Sequence, residues 1–279
     1  MTSFSFKDEL ARIRVRIAED ASHHLILHHD HSDMPLWKLH LSADSHFCRA
    51  VVANGFLTQE QMSRAALRYR LGMARDGGVI FWQIDQCEQT LDGKIMYYQD
   101  NCHRDHFRHP TWVSSELRRF YLGDDFPHEY LPESCHCLFG THLLSHSDPT
   151  GSIPATSSIL AGQLKPVAIV EAEKTAIICS ERYPRFIWLA PGGLEALKPE
   201  VLYPLRGRKI ILFPDTDETG DTFAKWHAIA QSSQRLLGQP IYVSDFLERH
   251  ATPDQKRRKI DLVDLIMERH KGITEATGQ

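Results

Sequence analysis

Three acids in the second half of the chain stand where carboxylates can do chemistry. Glu171 directly follows the apolar run Val167-Ala168-Ile169-Val170, and Asp215 and Asp217 follow a second run, Lys209-Ile210-Ile211-Leu212-Phe213, as Pro214-Asp215-Thr216-Asp217. If the runs are neighbouring strands of a parallel sheet, the acids meet at the strands' carboxyl ends, where such sheets bind ligands. Three carboxylates in one crevice repel one another and call for a cation. Oxygen ligands with room for water and phosphate suit Mg²⁺, and an ion so held clamps the phosphate of a nucleotide or a nucleic-acid backbone. A plainer reading stands beside this one: an acid at a strand end also caps the next helix, and Asp-x-Asp is a short pattern.

The elements that must position these acids are legible around them. After the first strand a helical stretch runs from Glu173 to about Arg182, then a strand Phe186-Ile187-Trp188-Leu189 ending in Pro191-Gly192-Gly193, and a further helix leads to the strand at Lys209. A long helix from about Thr222 to Leu237, a strand Ile241-Tyr242-Val243 and a closing helix from Asp261 to about His270 complete the series. Apolar strands without alternation, separated by helices, predict a parallel α/β sheet covered on both faces.

The order of these segments resembles the Toprim family. Ile169-Val170-Glu171-Ala172-Glu173-Lys174-Thr175-Ala176 is similar to its first motif, Pro191-Gly192-Gly193 to its glycine turn, Asp215-Thr216-Asp217-Glu218-Thr219-Gly220 to its Asp-x-Asp-x-x-Gly motif, and Asp261-Leu262-Val263-Asp264-Leu265 to the Asp-rich closing segment of primases and primase-helicases. The resemblance implies a Rossmann-like Toprim domain over 165–279, with Glu171 as general acid/base and metal ligand and Asp215 and Asp217 binding Mg²⁺ or Mn²⁺. Asp261 and Asp264 are secondary acids, and Lys174 is a candidate phosphate contact or else part of a solvated helix face. The family usually has Gly where Ala172 stands, and a Cβ there would strain a left-handed backbone.

The first half reads as a smaller α+β subdomain. Asp44 is a candidate cap for a short helix ending at Gly55, and Thr58 and Gln61 form a capping box. Met62, Ala65, Ala66 and Tyr69 then make one helical stripe, stopped by Gly72, and Val79-Ile80-Phe81-Trp82 returns through Gly93 to Lys94-Ile95-Met96-Tyr97-Tyr98 as a hairpin. Leu67 to Gly72, the hairpin and Leu138-Phe139-Gly140 resemble the subdomain that precedes Toprim in bacterial DNA primase. The stretch from about 44 to 270 resembles primase-like Toprim proteins of mobile elements. Arg68, Arg70 and Lys94, with Arg118 and Arg119, are candidate contacts to nucleic-acid phosphates. The expected organisation is a helix (6–20) and His-rich loop in 1–43, the primase-like subdomain in 44–144, a Ser/Pro-rich linker in 145–164, and the Toprim domain.

The 17 histidines and six cysteines add a metal question. Cys102, His103, His106, His109, Cys135, His136 and Cys137 supply enough ligands for a structural Zn²⁺, but not at the usual zinc-site spacing, and His23 to His31 reads as a polar loop. Magnesium is therefore the expected cofactor. No Cys-x-x-Cys ribbon and no P-loop is present.

Composition bounds the rest. With 279 residues, 42% hydrophobic and 24% charged, the chain has room for about two domains. The net charge of -4 excludes a uniformly basic nucleic-acid coat, so DNA contacts must come from a local patch. No apolar run nears the roughly 20 residues of a membrane span, no signal segment follows Met1, and scattered cysteines fit a reducing cytoplasm. The resulting expectation is a cytoplasmic, non-membrane protein in the replication or mobilisation of a mobile element, performing primase-like nucleotidyl transfer on single-stranded DNA with nucleotides, and working with a replicative helicase or mobilisation protein. The alternatives are a Toprim nuclease or nickase, and a non-catalytic nucleic-acid-binding module.

Overall fold

The computed structural model describes residues 37–38, 43–116, 136–145 and 164–277. The helix expected over 6–20, the His-rich loop, Arg118, Arg119, Cys135 and most of the expected linker lie outside these residues. The chain divides into two compact units, Met1–Cys137 and Leu138–Gln279.

Among the described residues, the first unit sets helices, two of them described in full, against an antiparallel sheet. Helix α1 (His46–Ala53) is capped by Ser45, whose hydroxyl accepts from Cys48 N, so the cap falls one residue after the expected Asp44. Helix α2 (Gln59–Tyr69) starts in the expected box: Thr58 N donates to Gln61 Oε1 (2.9 Å) and Gln61 N to Thr58 Oγ1 (3.2 Å). Its stripe Met62, Ala65, Ala66 and Tyr69 is buried. The helix ends at Arg70, in the left-handed region at φ 54°, and not at Gly72, which already belongs to a strand.

The sheet runs β1 (Trp37–Lys38), β2 (Gly72–Ala74), β3 (Val79–Ile84), β4 (Thr90–Met96) and β5 (Thr111–Trp112), each beside the next. The β3–β4 hairpin keeps Val79 opposite Met96 and shifts register between Gln83 and Ile84. β3 is buried throughout because both of its faces are covered. Ile80, Trp82 and Ile84 join Ala74, Ile95 and Val113 in one cluster, while Phe81 meets Phe47 of α1 edge-on at 5.6 Å. Such alternation is the two-residue period of a strand. Gly93 lies opposite Trp82, and a Cβ there would come within 2.7 Å of the indole.

The second unit is a four-stranded parallel sheet, β6 (Val167–Val170), β7 (Ile187–Leu189), β8 (Ile210–Phe213) and β9 (Ile241–Val243), in the order β7-β6-β8-β9. This is the expected α/β architecture. Helix α3 (Glu173–Arg182) follows β6 and α4 (Asp221–Leu237) follows β8; α5 (Phe246–His250), α6 (Pro253–Arg257) and α7 (Leu262–Thr277) come after β9. The helix expected between β7 and β8 is instead two 3₁₀ segments, Leu194–Ala196 and Pro199–Leu205; Pro204 inside the second removes a backbone donor that an α-helix would use.

Val167, Ile169, Ile187, Leu189, Ile210 and Leu212 pack with Trp226, Ala230 and Leu237 of α4. Ala168, Val170 and Trp188, one residue out of step, are buried as well. α3 packs on β6 and β7 with α7 against it, so Glu173 to Ser180 are buried.

Gly93→Ala should overpack the Trp82 contact and lower stability by about 1–3 kcal/mol. Urea unfolding should record this as a lower midpoint with an unchanged slope, and an unchanged midpoint would mean that the indole moves aside at no cost.

Candidate functional site

The strand order creates a crevice. From β6 the chain turns to β7 on one side, and from β8 it turns to β9 on the other, so β6 and β8 are neighbours whose connections diverge. This is a topological switch point, the place where parallel sheets bind ligands. Val170 is in register with Phe213 at the carboxyl ends of the two strands. Glu171 is the next residue on β6, and Asp215 lies two beyond Phe213 on β8.

Ala172 has φ -103° and ψ 145°, ordinary extended backbone, so its Cβ causes none of the left-handed strain considered from the sequence. After β7, Gly192 and Gly193 take φ 80° and 152°, values that favour glycine. Gly192 N donates to Glu171 O (3.2 Å), tying this turn to the acid-bearing loop. Thr216 fixes the loop after β8 from two sides. Its N–H donates to Ile260 O (3.3 Å) and its hydroxyl to Glu248 Oε1 (2.7 Å), and Lys256 pairs with Glu248.

Asp215 is half-buried. Burial first, then the charges of Asp261 and Glu171, push its carboxyl well above the usual carboxylate range; Asp264 adds to this and Lys174 opposes it. Like charges around a carboxylate disfavour its ionisation.

The first turn of α3 turns Lys174 inward. Only 8% exposed, it is not part of a solvated helix face, and its Nζ lies 3.2 Å from Asp261 Oδ2 and 3.7 Å from Asp264 Oδ1. Asp261 is buried too, and its Oδ2 accepts from Thr175 Oγ1 at 2.6 Å. Burial works against its charge, but Lys174 and then the Thr175 hydroxyl hold its carboxyl below the usual range. Asp264 N donates to Asp261 Oδ1 (2.8 Å) and Asp261 N to Asp264 Oδ2 (3.3 Å). Asp261 and Asp264 therefore cap the start of α7 reciprocally and serve as counter-ions to Lys174.

Asp217 is bound by its own loop. Its Oδ1 accepts from Thr219 N (2.9 Å), Thr219 Oγ1 (2.9 Å), Gly220 N (2.6 Å) and Asp221 N (3.1 Å), and Oδ2 accepts from Thr222 N (2.7 Å). It secures the turn into α4 and accepts from the first two amides of the helix, with Gly220 at the cap position itself, which is close to the plainer of the two sequence readings. Burial alone would raise its pKa, but the bonds from Thr222, Thr219 and Gly220 prevail and hold it well below the usual range.

Among the described residues no group of three or more His, Cys, Asp or Glu is arranged to hold a metal ion. Glu171 and Asp215 share the crevice with a buried lysine and its two acids, so the arrangement is an acidic crevice and not a closed cage.

The cations of the first unit differ in setting. Arg68 is exposed in the last turn of α2. Arg70 pairs with Glu88, and Lys94 is half-buried opposite Phe81. Cys102 is buried, whereas His103, His106 and His109 are exposed; His136 bonds Gln83 through Nδ1 (2.8 Å) and packs on Trp112. Sequence reasoning missed Asp92, a buried acid that accepts from Gly93 N, Ser114 N and Ser114 Oγ and so anchors the hairpin to the segment after β5. It also missed Thr175, Thr216 and Glu248, whose partners lie far away in the chain and leave no local pattern.

The fold and site thus define a two-unit protein, an antiparallel α+β unit and a parallel α/β unit whose switch point carries acids. The chain belongs to the family described as a domain of unknown function (DUF6371), whose model matches residues 45–216. That span runs from the cap of α1 through Glu171 and Asp215 and stops one residue before Asp217. No curated protein and no solved structure matches the chain.

Because the folded pKa of Asp217 lies below the unfolded value of about 3.9, its contribution to stability is present above that pH and is lost as pH falls through the folded value. Asp217→Asn, which loses the charge that the loop amides bond, should cost about 1.5–3 kcal/mol at pH 7, and the gap to the parent should be smaller at pH 3. Urea unfolding at both pH values checks this; an equal gap at both would mean that the charge does not stabilise the cap.

Proposed function

We propose that the protein is a magnesium-dependent, Toprim-type enzyme of nucleic acid, carrying out primase-like nucleotidyl transfer in the replication or mobilisation of a mobile element. One observation carries the reading: Glu171 and Asp215 follow adjacent parallel strands at the switch point of the sheet, just beyond the register pair Val170 and Phe213.

The donor set fits Mg²⁺ or Mn²⁺ of a particular kind. Magnesium is commonly held by one or two carboxylates together with water and substrate phosphates, and the crevice offers two carboxylates without a cage. Glu171 and Asp215 would hold the ion, which would supply positive charge beside the nucleotide phosphates. Asp217 keeps the loop and the start of α4 in place, and Thr216 holds Asp215 at the strand end.

In the transfer, the oxygen of a 3′-hydroxyl forms a bond to the α-phosphorus of the incoming nucleotide, and the bond from that phosphorus to pyrophosphate breaks. Glu171 takes the hydroxyl proton and pyrophosphate leaves with the displaced electron pair. A positioned general base contributes on the order of 10²–10⁴-fold to such a step. Exposed Arg68 and half-buried Lys94 are the candidate contacts to the template strand.

Incubation with single-stranded DNA, nucleotides and Mg²⁺ should yield extended products. Asp215→Asn and Glu171→Gln should each lower the yield on the order of 100-fold or more, with the fold retained by circular dichroism. Wild-type synthesis by either variant would overturn the assignment, and shortening of labelled DNA without nucleotides would favour the nuclease alternative.

A further inference from the structure

The first unit holds a cavity of about 450 Å³, bounded by His46, Arg49, Asp76, Tyr97, Asp105 and Arg108 among others. That volume lies in the range of small-ligand sites, about 300–1,000 Å³. One wall is an ordered stack. The Arg108 guanidinium lies over the Tyr97 ring, 3.5 Å from its centroid, and pairs with the Asp76 carboxylate. Tyr97 Oη donates to the same carboxylate at 2.9 Å, and Arg108 also reaches Asp76 O at 3.4 Å. The plane of the guanidinium is therefore fixed, while 41% of the side chain remains accessible.

A planar cation with one face on an aromatic ring is a platform on which a base can stack. The remaining polar groups set what enters. Asp76 is offset by Arg108 and Asp100 pairs with His46 Nε2 at 3.1 Å, while Arg49 and Asp105 line the same cavity; the carboxylates of Asp76, Asp100 and Asp105 exceed the guanidiniums of Arg49 and Arg108, and carboxylates accept hydrogen bonds from amino groups. A base bearing an exocyclic amino group satisfies both features.

We propose that this cavity binds an unpaired nucleobase carrying an exocyclic amino group, stacked on the Arg108–Tyr97 pair. The site lies wholly within the first unit and does not depend on the metal reading of the second.

The test is fluorescence anisotropy of the full chain with labelled oligo(dC) and oligo(dT), without divalent ion. Oligo(dC) should bind more tightly. Arg108→Ala should weaken it about tenfold, as stacking on one side chain is worth about 1–3 kcal/mol. Arg108→Lys should weaken it as much as Arg108→Ala, because the ammonium keeps the charge and loses the plane. Competition by free dCMP would assign the site to a mononucleotide, and competition by oligonucleotide alone would assign it to a strand; both support a nucleobase site. Full binding by Arg108→Lys or by Arg108→Ala, or equal affinity for oligo(dC) and oligo(dT), would overturn the proposal.

Discussion

The second unit is organised around an excess of buried negative charge. Lys174, at the start of α3, faces Asp261 and Asp264 at the start of α7, and Asp215 and Glu171 lie within electrostatic reach. Taking these groups out of water is costly, and a buried ion pair offsets that cost only with close geometry and further hydrogen bonds. The Thr175 hydroxyl and the reciprocal caps of α7 supply such bonds. The lysine is thus held by the acids of α7, and Asp215 is left with a carboxyl whose ionisation its surroundings oppose. A divalent cation with its own waters or phosphates would relieve that opposition, which is why a charge imbalance at a switch point bears on function.

The acids divide into two roles on this basis. Asp217, Asp261 and Asp264 accept from backbone amides and start helices, while Glu171 and Asp215 stand at strand ends in the crevice. Thr216 lies between the two groups in sequence, and its bonds to Ile260 and Glu248 make the Asp215 loop depend on the segments that follow β9.

Much of the fold was legible because it rests on local patterns. Continuous apolar runs marked β6 to β9, the Thr-x-x-Gln box marked the start of α2, and the hairpin followed from two apolar runs joined through polar residues and Gly93. The misplaced details have physical causes. Arg70 ends α2 because a non-glycine residue takes the left-handed conformation there, which propensity argues against, and Ser45 caps α1 although Asp44 is an equally good capping type. The strand-end acids could be found from sequence, but their roles could not be separated. Asp-x-Asp reads alike whether its second member binds a cation or caps a helix, and only the amides of 219–222 decide it. The inward turn of Lys174 depends on a helix almost ninety residues later in the chain, and no spacing within α3 reports it.

The account stands on the strand-end acids as a cation site, and the direct measurement is a crystal soaked in Mn²⁺, with anomalous scattering used to locate the ion. A peak between Glu171 and Asp215, lost in Asp215→Asn, is the expected result. Ordered strand ends with no manganese at them, in a crystal that also contains nucleotide, would contradict the account.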